Sequence, residues 1–250
     1  MSELVFDFAR SRARVLFTDR THGNLSSVSG ERCEFGEAAR ESLRELIGAR
    51  GLARGYQVHG TRVRRVTEVP AGSGPVKRPD EEADGQATTL TRVGALVLTA
   101  DCLPVALVRD GAVAMLHAGW RGLAAGVLEE GVSLLRAERP GPEILAVIGP
   151  GAGACCYEVG PEVHASFGGR ESARASIDLR AIARERLLAA GVSAVHDVDV
   201  CTICDERFFS HRREGARAGR QGGVAWLEAG VPAAPRRAES YFGAVTRSRG

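Results

Sequence analysis

Between Thr99 and Gly122 the chain reads TADCLPVALVRDGAVAMLHAGWRG, with the thiol of Cys102 and the imidazole of His117 at the outer ends of two apolar runs. Thiolate and neutral imidazole are zinc ligands, and a thiol beside an imidazole is also a nucleophile with its base. Asp110–Gly111 separates the runs, and Asp-Gly in such a setting favours a two-residue hairpin turn with both central residues at positive φ. That turn sets His117 opposite Pro104 and Cys102 opposite Gly119. Side chains alternate along a strand, so Cys102, Pro104 and His117 share a face. Cys102 and His117 are then diagonal neighbours with Cα atoms about 7–8 Å apart. That separation suits two ligands of one metal, or a nucleophile and its base.

A catalytic zinc usually takes three protein ligands and keeps one position open. The third candidate is His59, in YQVHGTRV ahead of a strand. Spacing alone favours a hydrogen-bonded histidine at a strand end over a ligand. His22, His164, His196 and His211 fall on loops, a helix and element ends, and are weaker candidates. Cys201-Thr-Ile-Cys204 looks like half a zinc knuckle, to which Cys155 and Cys156 would have to add two ligands. Nothing in the sequence brings them there, and the reading carried forward is buried free thiols. The stretch IGPGAGACC lacks the Gly-Lys-Ser/Thr of a phosphate-binding loop and reads as a strand leading to a tight turn that lines a pocket. FFSHRREG is expected to bring Arg212 near the site.

The elements that must position these groups follow from periodicity. Residues 3–8, 14–18, 61–69, 95–100 and 144–149 read as strands. Residues 37–51 read as a helix with Leu43, Leu46 and Ile47 on one face and Gly51 as its stop. After His117, Leu123, Val127, Leu128, Val132 and Leu135 recur at helical spacing. Gly119-Trp120-Arg121-Gly122 stands at the start of that helix, where backbone N–H groups can receive an anion. Residues 177–191 read as a helix capped by Asp178, with Leu179, Ile182, Ala183 and Leu187 inward. Residues 70–85, rich in Gly, Pro and charge, read as a loop. Candidate residues lie on both sides of it, so it is not a domain linker, and residues 1–250 are expected to form one domain.

A chain of 250 residues with 44% hydrophobic content can bury a full core. Its net charge of +2 points to no nucleic-acid or membrane partner. Lys77 is the sole lysine, so the abundance of arginine is a compositional bias and not a set of phosphate contacts. No segment has the roughly 18 uncharged apolar residues of a membrane helix, and Asp7 and Arg10 interrupt any signal-peptide core. A cytoplasmic location is expected. Six cysteines in a chain this long do not suggest a disulfide framework.

Taken together, QVHG, ADG, TADCLPV, HAGWRGLAAGVLEE, IGPGAGACCYEVG, DLR and CTICDERFFSHRREGARAGRQGGVAWL resemble the YfiH/YlmD family, in the same order and over roughly residues 56–227. This family is also called the laccase-domain, multicopper polyphenol oxidase or peptidoglycan editing factor family. The resemblance implies an α+β fold of mixed sheets flanked by helices, similar to that of the cytotoxic necrotizing factors. It implies zinc bound by His59, Cys102 and His117. It implies a purine nucleoside phosphorylase that cleaves adenosine, inosine and 5′-methylthioadenosine with phosphate, and also deaminates adenosine. Zinc with an open position lowers the pKa of a bound water, which suits the deamination. Arg20 and Arg121 are then the candidates for holding phosphate, and Asp84 is a proton shuttle or holds a ligand's second nitrogen. The partners implied are small purine nucleosides and phosphate, and no oligomeric state follows. The segment FTDRTHGNLSSVSG keeps Arg20 and Gly23 of the family pattern and otherwise departs from it over 18–36.

Three other functions compete. The four-copper site of a true laccase needs about ten histidines, and this chain has six with no His-x-His pair; a single copper at the zinc site remains an alternative metal. A cysteine hydrolase would use Cys102 as nucleophile and His117 as base, a peptidoglycan-editing amidase among them, although Asp101 beside the thiol is expected to raise its pKa. A non-enzymatic role as a cell-division partner has no interaction motif to support it.

Overall fold

The computed structural model describes residues 4–8, 11–26, 32–70, 82–139, 141, 143–230 and 243–244. In chain order the first elements are β1 (Leu4–Phe8), β2 (Ala13–Phe17), α1 (Arg32–Leu46), β3 (Gly51–Ala53), β4 (Val63–Val66), β5 (Gly85–Thr88) and β6 (Val93–Thr99). The central hairpin β7 (Leu103–Arg109) and β8 (Ala112–Ala118) leads into α2 (Trp120–Ala125) and α3 (Val127–Glu138). Then come β9 (Leu145–Ile148), β10 (Glu158–Val159), α4 (Pro161–Ala165), β11 (Ala175–Ser176), α5 (Leu179–Ala189) and β12 (Ala194–Asp197). The chain closes with α6 (His211–Glu214), β13 (Gln221–Leu227) and β14 (Gly243–Ala244).

Two six-stranded sheets result, ordered β14-β1-β2-β13-β6-β3 and β12-β9-β7-β8-β5-β4. Both are mixed: β3–β6, β4–β5 and β9–β12 are parallel and the other pairs antiparallel. The fold is therefore the expected α+β domain of mixed sheets with helices. Strand alternation explains its layers. In the hairpin, Leu103, Val105, Leu107, Ala114 and Leu116 join Leu128, Val132, Leu179 and Leu187 from α3 and α5 in one core cluster. The intervening Ala106, Val108, Val113 and Met115 meet Phe6, Phe17 and Val97 of the other sheet in a second. With both faces of the hairpin buried, its strands are apolar except for Arg109 beside the turn and His117 near the open end. A third cluster packs Leu43 of α1 on Leu16, Leu96 and Val224.

The strands and helices fall where periodicity puts them, with three corrections. The helix at 37–51 begins at Arg32, leaves Leu46 47% exposed and stops at Gly48 (φ 63), while Gly51 starts β3. The helix after His117 is two helices. Gly126, at φ 105 and ψ 29, ends α2 and begins α3, although all five expected apolar residues are buried. The hairpin has the expected register, with His117 opposite Pro104, but only Gly111 of its two turn residues takes a positive φ (68). The loop proposed at 70–85 falls mostly on 71–81, outside the described residues.

Candidate active site

The face of the hairpin that carries Ala106 and Met115 also carries His117, and it points between the two sheets. At its open end Cys102 and His117 meet His59, and the ligand atoms of the three lie within 4.8 Å of one another. Cys102 Sγ is 3.8 Å from His59 Nε2, and the two imidazoles stand edge to face with centroids 4.8 Å apart. The convergence expected of the three residues is present.

Asp84, fully buried just before β5, organises this point. Its Oδ1 accepts from His117 Nδ1 at 2.7 Å, so Nε2 of that ring is the nitrogen left to hold a metal once it gives up its proton. The same carboxylate accepts three successive backbone N–H groups, from Val58 (3.1 Å), His59 (2.9 Å) and Gly60 (2.7 Å). His59 takes φ 62, rare for a residue with a side chain. That conformation belongs to the concave arrangement in which consecutive amides converge on one anion. Asp84 therefore fixes a ring through its side chain and a whole loop through the backbone.

Glycines allow the close approach. A Cβ on Gly119 would lie 2.6 Å from His59 Cδ2 and 3.0 Å from Cys102 Sγ. One on Gly122 would lie 2.7 Å from the Gly60 carbonyl oxygen. The glycines of HAGWRG let α2 rest directly on the His59 loop.

Asp101 also differs from expectation. It takes φ 86, and its carboxylate turns to Thr202 Oγ1 (2.7 Å), Ser210 Oγ (3.1 Å) and the Arg212 N–H (2.7 Å). It anchors the 202–212 segment beside Cys102. Burial by itself would raise the Cys102 thiol. The facing His117 charge and hydrogen bonds from both histidines outweigh it and bring the thiol down to about 6. Burial would likewise lower His117, but the Cys102 thiolate and Asp84 raise it to about 9. Asp84 itself, pushed up by burial, ends below its ordinary value through His117 and the loop amides.

Two imidazole nitrogens and a thiolate form a donor set that zinc prefers, and tetrahedral ligands at about 2.0–2.3 Å from a metal sit about 3.5 Å from each other. The observed 3.8 Å between Cys102 and His59 fits such a set. The three residues are thus able to hold a metal ion.

Beside them opens a cavity of about 650 Å³, within the range of small-molecule sites. Trp120 and Tyr157 supply aromatic walls; Arg121, Arg212 and Arg220 supply charge. None of these three arginines pairs with a carboxylate among the described residues. Arg121 lies over Trp120 (4.4 Å) and Arg212 over Tyr157 (5.0 Å). The structure brings Arg121 and Arg212 to the cavity, as the sequence suggests. It does not bring Arg20, whose Nε donates to the Phe208 carbonyl (3.2 Å) and whose guanidinium pairs with Glu214 and covers Phe209 (4.4 Å). The Glu214 carboxylate and the aromatic ring account for its different position.

Arg220 and Tyr157 are residues that sequence reasoning passes over, because one arginine among many and one tyrosine carry no spacing signal. Arg180 of the DLR block is a further one. It is buried, pairs with Asp197 (2.9 Å) and donates to the Gly151 (2.8 Å) and Val200 carbonyls, tying the 149–151 turn to the end of β12. The cysteines of the second group also differ from the buried thiols expected. Cys155 and Cys204 are exposed, and the sulfurs of Cys155, Cys156, Cys201 and Cys204 converge.

Known proteins resemble this chain over most of its length. Residues 14–228 match the model of the family described as multi-copper polyphenol oxidoreductase laccase. The chain is 42% identical over 223 residues to a purine nucleoside phosphorylase of Xylella fastidiosa, covering 82% of this chain and 84% of that one. The crystal structure of a Neisseria meningitidis protein superposes with a TM-score of 0.78 at 31% identity, covering 92% of this chain and 100% of that one. YlmD of Geobacillus stearothermophilus does so with 0.78 at 29% identity, covering 88% and 94%.

Proposed function

The chain belongs to the family described as multi-copper polyphenol oxidoreductase laccase, which includes YfiH and YlmD, and on that premise we propose that it is a zinc-dependent purine nucleoside phosphorylase. The observation that carries the reading is the union of a His59–Cys102–His117 donor set with an arginine-lined, aromatic-walled cavity. Adenosine, inosine and 5′-methylthioadenosine are the substrates proposed, with deamination of adenosine as a second activity. Zinc, when bound, would supply a positive charge that polarises a substrate atom.

The chain's own residues divide the remaining work. Phosphate must attack C1′ as the bond from C1′ to the base nitrogen breaks, releasing base and ribose 1-phosphate. Arg121, Arg212 and Arg220 are placed to hold that dianion, since guanidinium makes paired hydrogen bonds to phosphate oxygens. Trp120 and Tyr157 offer faces for a purine. Asp84 does not face the cavity as an acid; it fixes the His117 tautomer and the His59 loop, and so acts as a positioning residue.

The test is product analysis of purified protein. Adenosine should give adenine and ribose 1-phosphate only when phosphate is supplied, while deamination to inosine proceeds without it. Base release that ignores phosphate would overturn the phosphorylase. Chelator should abolish both activities and zinc restore them. Full activity of metal-free protein, destroyed by iodoacetamide, would instead establish the cysteine hydrolase. Copper as the metal that restores activity would overturn the zinc assignment.

A further inference from the structure

Away from the cavity, the tight turn after β9 and the turn after β12 face each other. The bridge between Gly151 and Cys201 joins them, and the Gly151 N–H donates to the Val200 carbonyl (3.2 Å) and the Thr202 N–H to the Gly151 carbonyl (3.0 Å). Neighbouring side chains in an extended chain point to opposite sides, but here Cys156 and Tyr157 both donate their N–H to the Gly153 carbonyl (3.0 Å each). That turn swings the adjacent Cys155 and Cys156 to the same side. Cys204 Sγ then lies 3.5 Å from Cys155 Sγ and 3.0 Å from Cys156 Sγ, and all four sulfurs fall within 4.8 Å of one another.

We propose that Cys155, Cys156, Cys201 and Cys204 form a second, closed metal site, a tetrathiolate that takes zinc and clamps the 151–157 turn to the 200–205 turn. With metal–sulfur bonds of about 2.3 Å tetrahedral sulfurs stand about 3.8 Å apart; here Cys204 Sγ is 3.5 Å from Cys155 Sγ and 3.0 Å from Cys156 Sγ, and no pair of the four exceeds 4.8 Å. A disulfide requires about 2.05 Å. The backbone is arranged for thiolates. The Gly153 N–H donates to Cys201 Sγ at 3.3 Å. Amides aimed at the first sulfur of a Cys-x-x-Cys turn stabilise a negative sulfur, as at metal knuckles. Gly153 is needed there: a Cβ would lie 3.1 Å from Cys201 Cβ and 3.3 Å from the Cys155 and Cys201 sulfurs. Arg213 covers the back of the turn, donating to the Thr202 (2.8 Å) and Ile203 (2.9 Å) carbonyls. Four protein ligands leave no open position, so the site is structural. Its consequence for the cavity runs through Thr202, which donates to Asp101 next to Cys102.

Metal stoichiometry tests this independently of any activity. Protein purified under reducing conditions should carry two zinc per chain. Cys201→Ser/Cys204→Ser should carry one, with Cys102→Ser keeping the zinc of the cysteine cluster. Should the double variant not fold, cobalt loaded into Cys102→Ser gives the answer. It should show the intense thiolate-to-cobalt charge-transfer bands of a tetrahedral four-sulfur site. Their absence would overturn the proposal, as would unchanged zinc in the double variant or a disulfide among these cysteines in the reduced-purified protein. Iron in the cluster would overturn the choice of metal.

Discussion

Asp84 receives four hydrogen bonds, split between its oxygens: His117 Nδ1 and the His59 N–H at Oδ1, and the Val58 and Gly60 N–H groups at Oδ2. An amide there must turn its NH₂ toward donors on one side or the other. Asp84→Asn should therefore weaken metal binding about 10–100-fold and cost about 1–3 kcal/mol of stability through an unmatched buried donor. Chelator competition and urea unfolding measure the two, and unchanged affinity would show that the carboxylate does not orient the ligands. Cys102 makes a pH prediction. In metal-free protein its depressed pKa means the thiolate persists as pH falls until about 6, where an ordinary cysteine has lost it below about 8.5. The rate of iodoacetamide modification of the Cys102 peptide should thus rise through a midpoint near 6. His117→Gln should move that midpoint upward, since the imidazolium charge is removed. Cys102 and His117 were legible in the sequence because one hairpin carries both and Asp110–Gly111 sets the register. His59 was not, except by resemblance, because its place depends on a positive φ and on the Asp84 carboxylate, 25 residues along the chain.

At the scale of elements, periodicity located strands and helices but not the breaks that glycine makes within them. Gly126 shows why. The apolar spacing runs unbroken through Leu123, Val127 and Leu128, so the pattern reads as one helix, while the left-handed Gly126 divides it. Two glycines of this region should respond differently to alanine. At Gly126 the space is open, with Glu129 Oε2 the nearest atom at 3.6 Å, and only the backbone is strained. Gly126→Ala should cost about 1–2 kcal/mol of stability and leave metal affinity intact. Gly119→Ala puts a methyl against His59 and Cys102 and should lose metal affinity, measured by the same competition, with a stability cost of about 1–3 kcal/mol. Equal metal affinity in the two variants would mean that the approach of α2 to the His59 loop does not shape the site.

Across the whole molecule, the layering was expected only through the resemblance, because local pattern says which face of a strand is buried and not what covers it. Two packed sheets leave their strand ends free at one side, and loops from distant parts of the sequence gather there. That gathering explains why Arg20 and Arg220, indistinguishable in an arginine-rich sequence, end up in different surroundings. The net charge of +2 likewise conceals a local field, since Arg54, Arg121, Arg212 and Arg220 line one cavity against the carboxylate of Asp101 alone among the described residues. If that field holds phosphate, removing one guanidinium should cost about 2 kcal/mol of a charged hydrogen bond, or about 30-fold in kcat/KM for phosphate. Arg121→Ala and Arg212→Ala should show this loss with metal content unchanged. Arg121→Lys should recover only part of it, because an ammonium cannot make the paired contact. Rising salt should lower kcat/KM for phosphate in the native enzyme more than in either alanine variant, because screening acts on the charge the variants have already lost. Arg20→Ala, with its side chain tied to Glu214 and Phe208, should leave phosphate dependence unaltered. A large loss there and none at Arg121 or Arg212 would place the phosphate beside Glu214 and Phe209 instead of in the cavity, and would change with it the direction from which C1′ is attacked.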